Sequence, residues 1–296
     1  MYIILLVAYL ILTMLVLPDE QWMTAYNLSP LRYRIIFFLT VYLPLTVVWI
    51  AAFAGYRRLN EYSRRIKQTP EGPSFALLTT GTRWLAWGLP VVSIVYTLKN
   101  LFAHDSTGLH DAGIITTNFL MLIVSLFAFM AIGRATRKLT ENVGSSATIQ
   151  RSRLVMFIFV LLGVAYCYLL FRNTDPRLHP INAYHLPFWL IVISLIIPYL
   201  YAWFVGVLAA FEINAYKTTV KGILYKQALS FISRGFISVI AALILIQYLA
   251  SVPLEQLTRV SFAYLLFAIY VLLALYAIGF VSIALGAKKL IRLEEV

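Results

Sequence analysis

The stretch that decides the fold is Pro44–Lys67, PLTVVWIAAFAGYRRLNEYSRRIK, because the chain repeats its pattern. The second copy is Pro198–Lys221, PYLYAWFVGVLAAFEINAYKTTVK, and a shift of 154 residues aligns the two without a gap. The alignment pairs identical residues: Pro44 with Pro198, Trp49 with Trp203, Asn60 with Asn214, Tyr62 with Tyr216, and Lys67 with Lys221. Each copy begins as an apolar helix suited to crossing a membrane and continues into an amphipathic, basic arm.

Composition indicates an integral membrane protein. The 296 residues are 61% hydrophobic and 12% charged, with a mean hydropathy of +0.85, whereas soluble domains carry about 25% charged residues. A net charge of +12 would suggest nucleic acid in a soluble protein, but Lys and Arg accumulate in the cytoplasmic loops of membrane proteins. We therefore expect the lipid bilayer as the partner and no nucleic acid. The single Cys167 is expected to be a packing residue.

Eight apolar segments are long enough to cross the hydrocarbon as helices. They cover residues 2–17, 35–56, 84–102, 113–133, 154–171, 187–211, 235–252 and 260–286. The first has no basic residue ahead of it and no small-x-small cleavage site after it, which favours an uncleaved helix over a signal peptide.

The distribution of Lys and Arg predicts the orientation. Seventeen of the 24 lie in the even-numbered connections or the C-terminal tail, whereas the acidic residues divide equally between the two sides. Positively charged loops stay in the cytoplasm. The sequence therefore predicts a protein of the cytoplasmic membrane with both termini in the cytoplasm.

Two further matches extend the repeat over the chain. Arg137-Lys138-Leu139 matches Lys288-Lys289-Leu290 at an offset of 151, and Val7-Ala8-Tyr9 matches Val164-Ala165-Tyr166 at an offset of 157. The nearly constant offset predicts an all-α fold of eight transmembrane helices in two tandem four-helix halves, residues 1–150 and 151–296. Because four is even, both halves have the same orientation, related by a pseudo-twofold axis along the membrane normal.

The arms that follow the repeated helices carry an apolar stripe at helical spacing. Its residues are Leu59, Tyr62 and Ile66 in the first arm and Ile213, Tyr216 and Val220 in the second. Such a stripe, flanked by basic residues, is expected to lie along the inner headgroup layer. The candidate surface residues are Arg64, Arg65, Lys67, Lys217 and Lys221. They either anchor the helices on anionic lipid headgroups or dock a cytoplasmic protein.

The predicted spans contain little chemistry. None holds Asp, Glu or His, which disfavours a proton-coupled carrier and a haem with a histidine ligand. No metalloprotease, serine-hydrolase or P-loop motif is found. Arg83 is expected at the inner interface, and hydroxyls such as those of Thr79 and Thr80 are expected to bond to backbone carbonyls or between helices. The sequence names no catalytic residue and no cofactor, and we do not expect an enzyme.

One metal site is conceivable on the predicted outer side. Its candidate ligands are the four histidines, His104, His110, His179 and His185, in two predicted loops. Imidazole with the neighbouring Asp105 and Asp111 suits zinc, copper or nickel. The alternative is that His merely collects in polar loops because spans exclude it. The six-residue spacing matches no common zinc pattern.

Two runs carry a family resemblance. WIAAFAGYRRLNEYSRRIKQTPEG (Trp49–Gly72) and YKTTVKGILYKQAL (Tyr216–Leu229) resemble runs in a family of multi-pass membrane proteins of small-genome candidate-phyla bacteria whose activity is not known. The resemblance implies a bacterial cytoplasmic membrane and assigns no functional residue.

Three functions stay open from the sequence. The first is a non-catalytic protein that organises the membrane or binds a partner through its basic cytoplasmic arms. The second is a transporter or channel for an uncharged or amphiphilic solute at the pseudo-twofold interface. The third is an outward-facing protein that binds a divalent metal.

Overall fold

The computed structural model describes residues 2–15, 23, 27–102, 107–141, 157, 161, 196–251 and 262–294. Within these residues the chain forms seven helices. They are α1 (Tyr2–Leu15), α2 (Pro30–Arg65), α3 (Gly72–Phe102), α4 (Thr107–Thr140), α5 (Ile197–Thr219), α6 (Ile223–Ser251) and α7 (Phe262–Leu293). Short turns join α2 to α3 and α5 to α6. The expected all-α class is confirmed for the described residues.

Five helical segments are long and apolar enough to cross a membrane. They are Pro30–Arg65, Phe119–Thr140, Ile197–Thr219, Ile223–Ile246 and Ala263–Leu293. Their outward faces are apolar: Val47, Phe127 and Phe267 are 53%, 52% and 67% exposed, respectively. Large apolar side chains distributed over the surface in this way are suited to lipid rather than water. The chain is therefore built as an integral membrane protein.

The described helices differ in extent from the predicted spans. α3 begins at Gly72 rather than near residue 84, and α6 begins at Ile223 rather than near residue 235. Hydropathy marks the lipid-immersed part of a helix, whereas backbone hydrogen bonding continues beyond it. The predicted span 154–171 lies almost wholly outside the described residues, so the count of eight spans stays a prediction.

Six of the helices close into a ring. Each of α2 to α7 packs against the next, and α7 returns to pack against α2. α1 lies beside this ring, where the Tyr9 and Trp49 rings pack in a tilted arrangement with 4.4 Å between centroids. Short turns reverse the chain after α2 and after α5, and the glycine contacts of α3 with α4 and of α6 with α7 also run antiparallel. By contrast, α4 runs parallel to α5, because Phe129 contacts Gly206 and Thr136 contacts Glu212. It follows from this alternation that α7 also runs parallel to α2.

Glycines bring the antiparallel pairs into backbone contact. A Cβ atom built on Gly81 of α3 would lie 2.6 Å from the Ala128 carbonyl oxygen of α4. A Cβ built on Gly235 of α6 would lie 2.6 Å from the Gly279 carbonyl oxygen of α7. Membrane helices associate through such small residues because lipid provides no hydrophobic force between them. The α3/α4 pair and the α6/α7 pair are thus held together by the same kind of glycine contact.

Proline perturbs the interior of α2 and the start of α5. In α2 a π-helical turn, Phe38–Tyr42, comes just before Pro44, and Ile196 is also π-helical just before Pro198. Proline lacks the N–H that the helix needs, and a local change of winding accommodates the loss.

Thr79 and Thr80 donate to the carbonyl oxygens of Phe75 and Ala76 at 2.8 and 2.9 Å, so the prediction for these hydroxyls is confirmed.

Candidate functional site

One end of the ring collects the basic residues, and we call it the basic end. It is formed by the C-termini of α2, α4, α5 and α7 and by the N-termini of α3 and α6, as the helix directions require. Arg64, Lys138, Lys221 and Lys288 all lie there, and each is exposed. Charges that are far apart in the sequence therefore share one face of the molecule.

The apolar stripe of each arm packs against the bundle: that of the first arm is buried, whereas Tyr216 and Val220 of the second arm are half-buried against the core. Leu59, Tyr62 and Ile66 are at most 3% exposed, and Ile213 is 1% exposed. The Tyr62 ring meets the Phe75 ring of α3 edge to face, with 4.9 Å between centroids. The expectation that the stripe lies along the lipid headgroups is therefore wrong. Packing against the protein's own helices produces the same apolar spacing in the sequence as lying along the headgroups would.

The predicted surface residues remain accessible. Arg64, Arg65, Lys67 and Lys221 are exposed, and Lys217 is half-buried. Glu61 forms surface ion pairs with Arg65 at 3.0 Å and Arg58 at 3.2 Å. Such pairs contribute little to stability, but they hold two guanidinium groups against α2. The basic end thus carries Arg58 and Arg65 in ion pairs, together with exposed cations such as Arg64 and Lys221.

The two arms meet in a cluster of tyrosines, which we call the tyrosine cluster: Tyr62, Tyr216 and Tyr225 with Glu71. The Tyr225 side chain of α6 lies close enough to those of Tyr62 and Tyr216 to interact with both. Tyr216 also interacts with the Glu71 carboxylate, which lies just before α3. Hydroxyls and a carboxylate joined in this way link four elements from across the ring. The arms therefore form one platform rather than two separate helices.

A buried carboxylate lies between α4 and α5. Glu212 is 6% exposed, and the Thr136 hydroxyl of α4 donates to its Oε2 atom. Arg137, one residue further on, acts on it electrostatically. The sequence prediction missed this group because Glu212 falls one residue beyond the predicted span 187–211. Its signal was a lone acidic residue in the apolar run VGVLAAFEINAY.

Beside this carboxylate is a cleft of about 170 Å³, which we call the α4/α5 groove. Its walls include Met130, Arg134, Arg137, Tyr201, Leu208 and Glu212. The first three are on α4 and the last three on α5. Acidic, basic and apolar groups thus face one space, a combination that suits an amphiphilic ligand.

The predicted metal site falls outside the described part of the chain. His104, His179 and His185 are in segments that the structure does not describe. His110 is described only as part of the α4 backbone, so the predicted loop around it is helical from Thr107. Among the described residues, no group of three His, Cys, Asp or Glu is placed to hold a metal ion.

No protein-family model, curated protein or solved structure matches the chain. The candidate site therefore stands on its own geometry. That geometry offers cations for acidic groups at the basic end and a mixed polar and apolar groove beside it. It does not bring together the nucleophile, base and anion-binding donors of an active site within the described residues.

Proposed function

We propose that the protein is a non-catalytic membrane-organising protein whose basic end binds acidic groups at the cytoplasmic face, chiefly anionic lipid headgroups. The observation that carries this proposal is the basic end, which gathers Arg64, Lys138, Lys221 and Lys288 on one face of packed helices. Fixed cations bind a charged surface with less loss of conformational freedom than cations on mobile helices. A cytoplasmic protein with an acidic surface is the other partner that this platform would suit.

The proposed orientation places the basic end and both termini in the cytoplasm. Each Lys or Arg near an anionic leaflet contributes about 1 kcal/mol. Arg64, Arg65, Lys217 and Lys221 would together contribute several times that amount. The same leaflet would hold the protein in a defined orientation, which is what an organising protein requires.

We also propose that the two halves, residues 1–150 and 151–296, arose by duplication. The tyrosine cluster supports this, since the 154-residue shift that pairs Tyr62 with Tyr216 also pairs Glu71 with Tyr225. Tyr62 interacts with Tyr225, and Tyr216 interacts with Glu71. The 154-residue shift therefore converts the contact of Tyr62 with Tyr225 into the contact of Tyr216 with Glu71.

The glycine contacts support the duplication independently. Gly81 and Gly235 are also 154 residues apart, and their partners Ala128 and Gly279 are 151 apart. Both glycines also meet an isoleucine, Ile132 or Ile283, again at an offset of 151. The ring of contacts also supports a duplication, because the contact of α4 with α5 would correspond to the contact of α7 with α2.

The transport alternative would need the contacts between the halves to separate. At one of them a Cβ on Gly55 would lie 3.1 Å from the Phe280 carbonyl oxygen, and at the other a Cβ on Gly133 would lie 2.5 Å from Val205. Phe129 and Phe280 are fully buried. The close contact at Gly55 favours the organising function over a solute pathway between α2 and α7, whereas Gly133 and Val205 line the α4/α5 groove.

Binding of lipids that differ in headgroup charge tests the proposal. Full-length protein in detergent is mixed with phosphatidylglycerol or phosphatidylcholine, and the bound lipids are counted by native mass spectrometry. We expect a preference for phosphatidylglycerol that falls at least tenfold in the combined Arg64→Gln, Arg65→Gln, Lys217→Gln and Lys221→Gln variant, since each cation contributes about 1 kcal/mol.

The matched control replaces basic residues at the opposite end of α2. Arg32 and Arg34 are exposed there, and replacing both with Gln should leave the preference unchanged. Equal binding of both lipids by the unmodified protein, or an equal loss in the control variant, would contradict the proposal. If the unmodified protein instead retained an acidic protein through the same four residues, lipid would be the wrong partner.

A further inference from the structure

We infer that the α4/α5 groove binds a phospholipid whose headgroup carries an ammonium group next to its phosphate, as in phosphatidylethanolamine. This site is separate from the four arm residues of the basic end. Its ligand chemistry also differs, because the groove contains a carboxylate that an anionic headgroup would have to avoid.

The shape of the groove suits a lipid. Arg134 and Arg137 lie one turn apart on α4, and Glu212 lies four residues after Leu208 on α5. Both helices run toward the basic end, so the charged groups occupy that end of the groove. Met130 and Tyr201 continue it away from the basic end with apolar surface. An amphiphile whose head faces the basic end matches this division.

The buried acid decides which headgroup fits. Glu212 is 6% exposed and accepts a hydrogen bond from Thr136, but an ionised carboxylate accepts as many as about four. A primary ammonium donates three hydrogen bonds, whereas the methylated nitrogen of choline donates none. The groove volume of about 170 Å³ accommodates the ammonium end of a headgroup, with the acyl chains along the apolar outer surface.

The two arginines supply the complement for the phosphate. Arg134 and Arg137 are both exposed, and guanidinium groups bind phosphate oxygens in a bidentate geometry. Glu212 and Arg137 are close enough to interact electrostatically. The ammonium and the phosphate are also adjacent in the headgroup, so the ammonium can face Glu212 while the phosphate faces Arg137. The charges of groove and ligand therefore complement one another.

The corresponding helix contact in the other half lacks the acid. The 154-residue shift places Arg58 at the position of Glu212, and the 151-residue shift places Lys288 at that of Arg137. The contact of α7 with α2 therefore carries bases alone at these positions. We expect ammonium recognition only at the α4/α5 groove.

Competition between lipids of equal chain length tests the inference. Full-length protein is incubated with dioleoyl phosphatidylethanolamine and dioleoyl phosphatidylcholine, and retained lipid is measured by native mass spectrometry. We expect about a tenfold preference for phosphatidylethanolamine, which charge-assisted hydrogen bonds to Glu212 would provide. Glu212→Gln should abolish the preference. Arg137→Gln should weaken the retention of both lipids without changing their ratio.

The matched control is Glu61→Gln, which removes an exposed carboxylate on α2 and should preserve the preference. Equal retention of the two lipids by the unmodified protein, or an unchanged ratio in Glu212→Gln, would overturn the inference. If Glu212→Gln does not fold, Leu208→Trp, which fills the groove from its apolar wall, takes its place. Full retention of phosphatidylethanolamine by that variant would overturn the inference equally. The arm variant with four Gln replacements should keep this preference, so this test is independent of the one above.

Discussion

A Cβ atom on Gly81 would lie 2.6 Å from the carbonyl oxygen of Ala128, so α3 and α4 touch backbone to backbone. Gly235 stands in the same relationship to Gly279, at the same distance. Because no real Cβ comes so close to a carbonyl oxygen, any larger side chain must push the helices apart. The two contacts hold the hairpins from which the ring is built.

Enlarging either glycine should destabilise the protein. We expect Gly81→Leu and Gly235→Leu each to lower the free energy of unfolding by about 1–3 kcal/mol, the usual cost of overpacking. Thermal unfolding in a mild detergent, followed by tryptophan fluorescence, measures the change. Ala76→Leu is the control, because Ala76 is exposed on the same helix. Equal melting of Ala76→Leu and Gly81→Leu would show that α3 and α4 do not touch there.

Removing the Thr136 hydroxyl should lower the free energy of unfolding, because the buried Glu212 carboxylate loses a hydrogen-bond donor. Thr136 is fully buried and donates to that carboxylate, so Thr136→Val leaves a buried acceptor with one fewer donor. We expect a loss of about 1–3 kcal/mol in the free energy of unfolding. The control is Thr80→Val, since Thr80 is exposed and bonds only within its own helix. A Thr136→Val protein as stable as the control would mean that Glu212 is not buried against α4.

The tyrosine cluster should couple α2 to α6. We expect a double-mutant cycle of Tyr62→Phe and Tyr225→Phe to give a coupling energy of about 0.5–1.5 kcal/mol, the net contribution of one hydrogen bond. Urea unfolding of the two single variants and the double variant supplies the three values. Tyr264 is 71% exposed, so Tyr62→Phe with Tyr264→Phe should be additive. Additivity in both cycles would show that Tyr62 and Tyr225 do not interact.

Cysteine labelling should place the basic end on the cytoplasmic side. In a Cys167→Ala background, Arg64→Cys and Lys138→Cys should react with a membrane-impermeant maleimide only after the cells are permeabilised. Arg32→Cys, on the opposite end of α2, should react in intact cells. Labelling of Arg64→Cys and Lys138→Cys from opposite sides would disprove the shared basic end and the parallel halves alike.

Much of the helical architecture could be predicted from local sequence. Apolar length located every described helix, and the spacing of Leu59, Tyr62 and Ile66 identified an apolar face of a helix. What that face packs against was not predictable, because lipid and neighbouring helices both accept apolar side chains. The stripe was therefore assigned to the headgroup layer, whereas it packs on Phe75 and its neighbours.

The contents of the site could be predicted less well than the fold. The basic residues were found because charge at a helix end is visible in sequence. Glu212 and Thr136 are 76 residues apart, and only the packing of α4 on α5 brings them together. Likewise, nothing local indicates that α7 returns to α2. Long-range contacts of this kind depend on the whole bundle rather than on any one segment.

Closure of the ring by α7 and α2 is the central structural claim, and a disulfide tests it most directly. A Cβ on Gly55 would lie 3.8 Å from the Cβ of Ile283, close to the mean separation in natural disulfides. In the Cys167→Ala background, Gly55→Cys with Ile283→Cys should cross-link under mild oxidation, and mass spectrometry should recover the linked peptide. The exposed neighbour Ala54, changed to Cys with the same partner, should not cross-link. Absence of the Gly55–Ile283 cross-link in folded protein, or its formation from Ala54 instead, would contradict the ring.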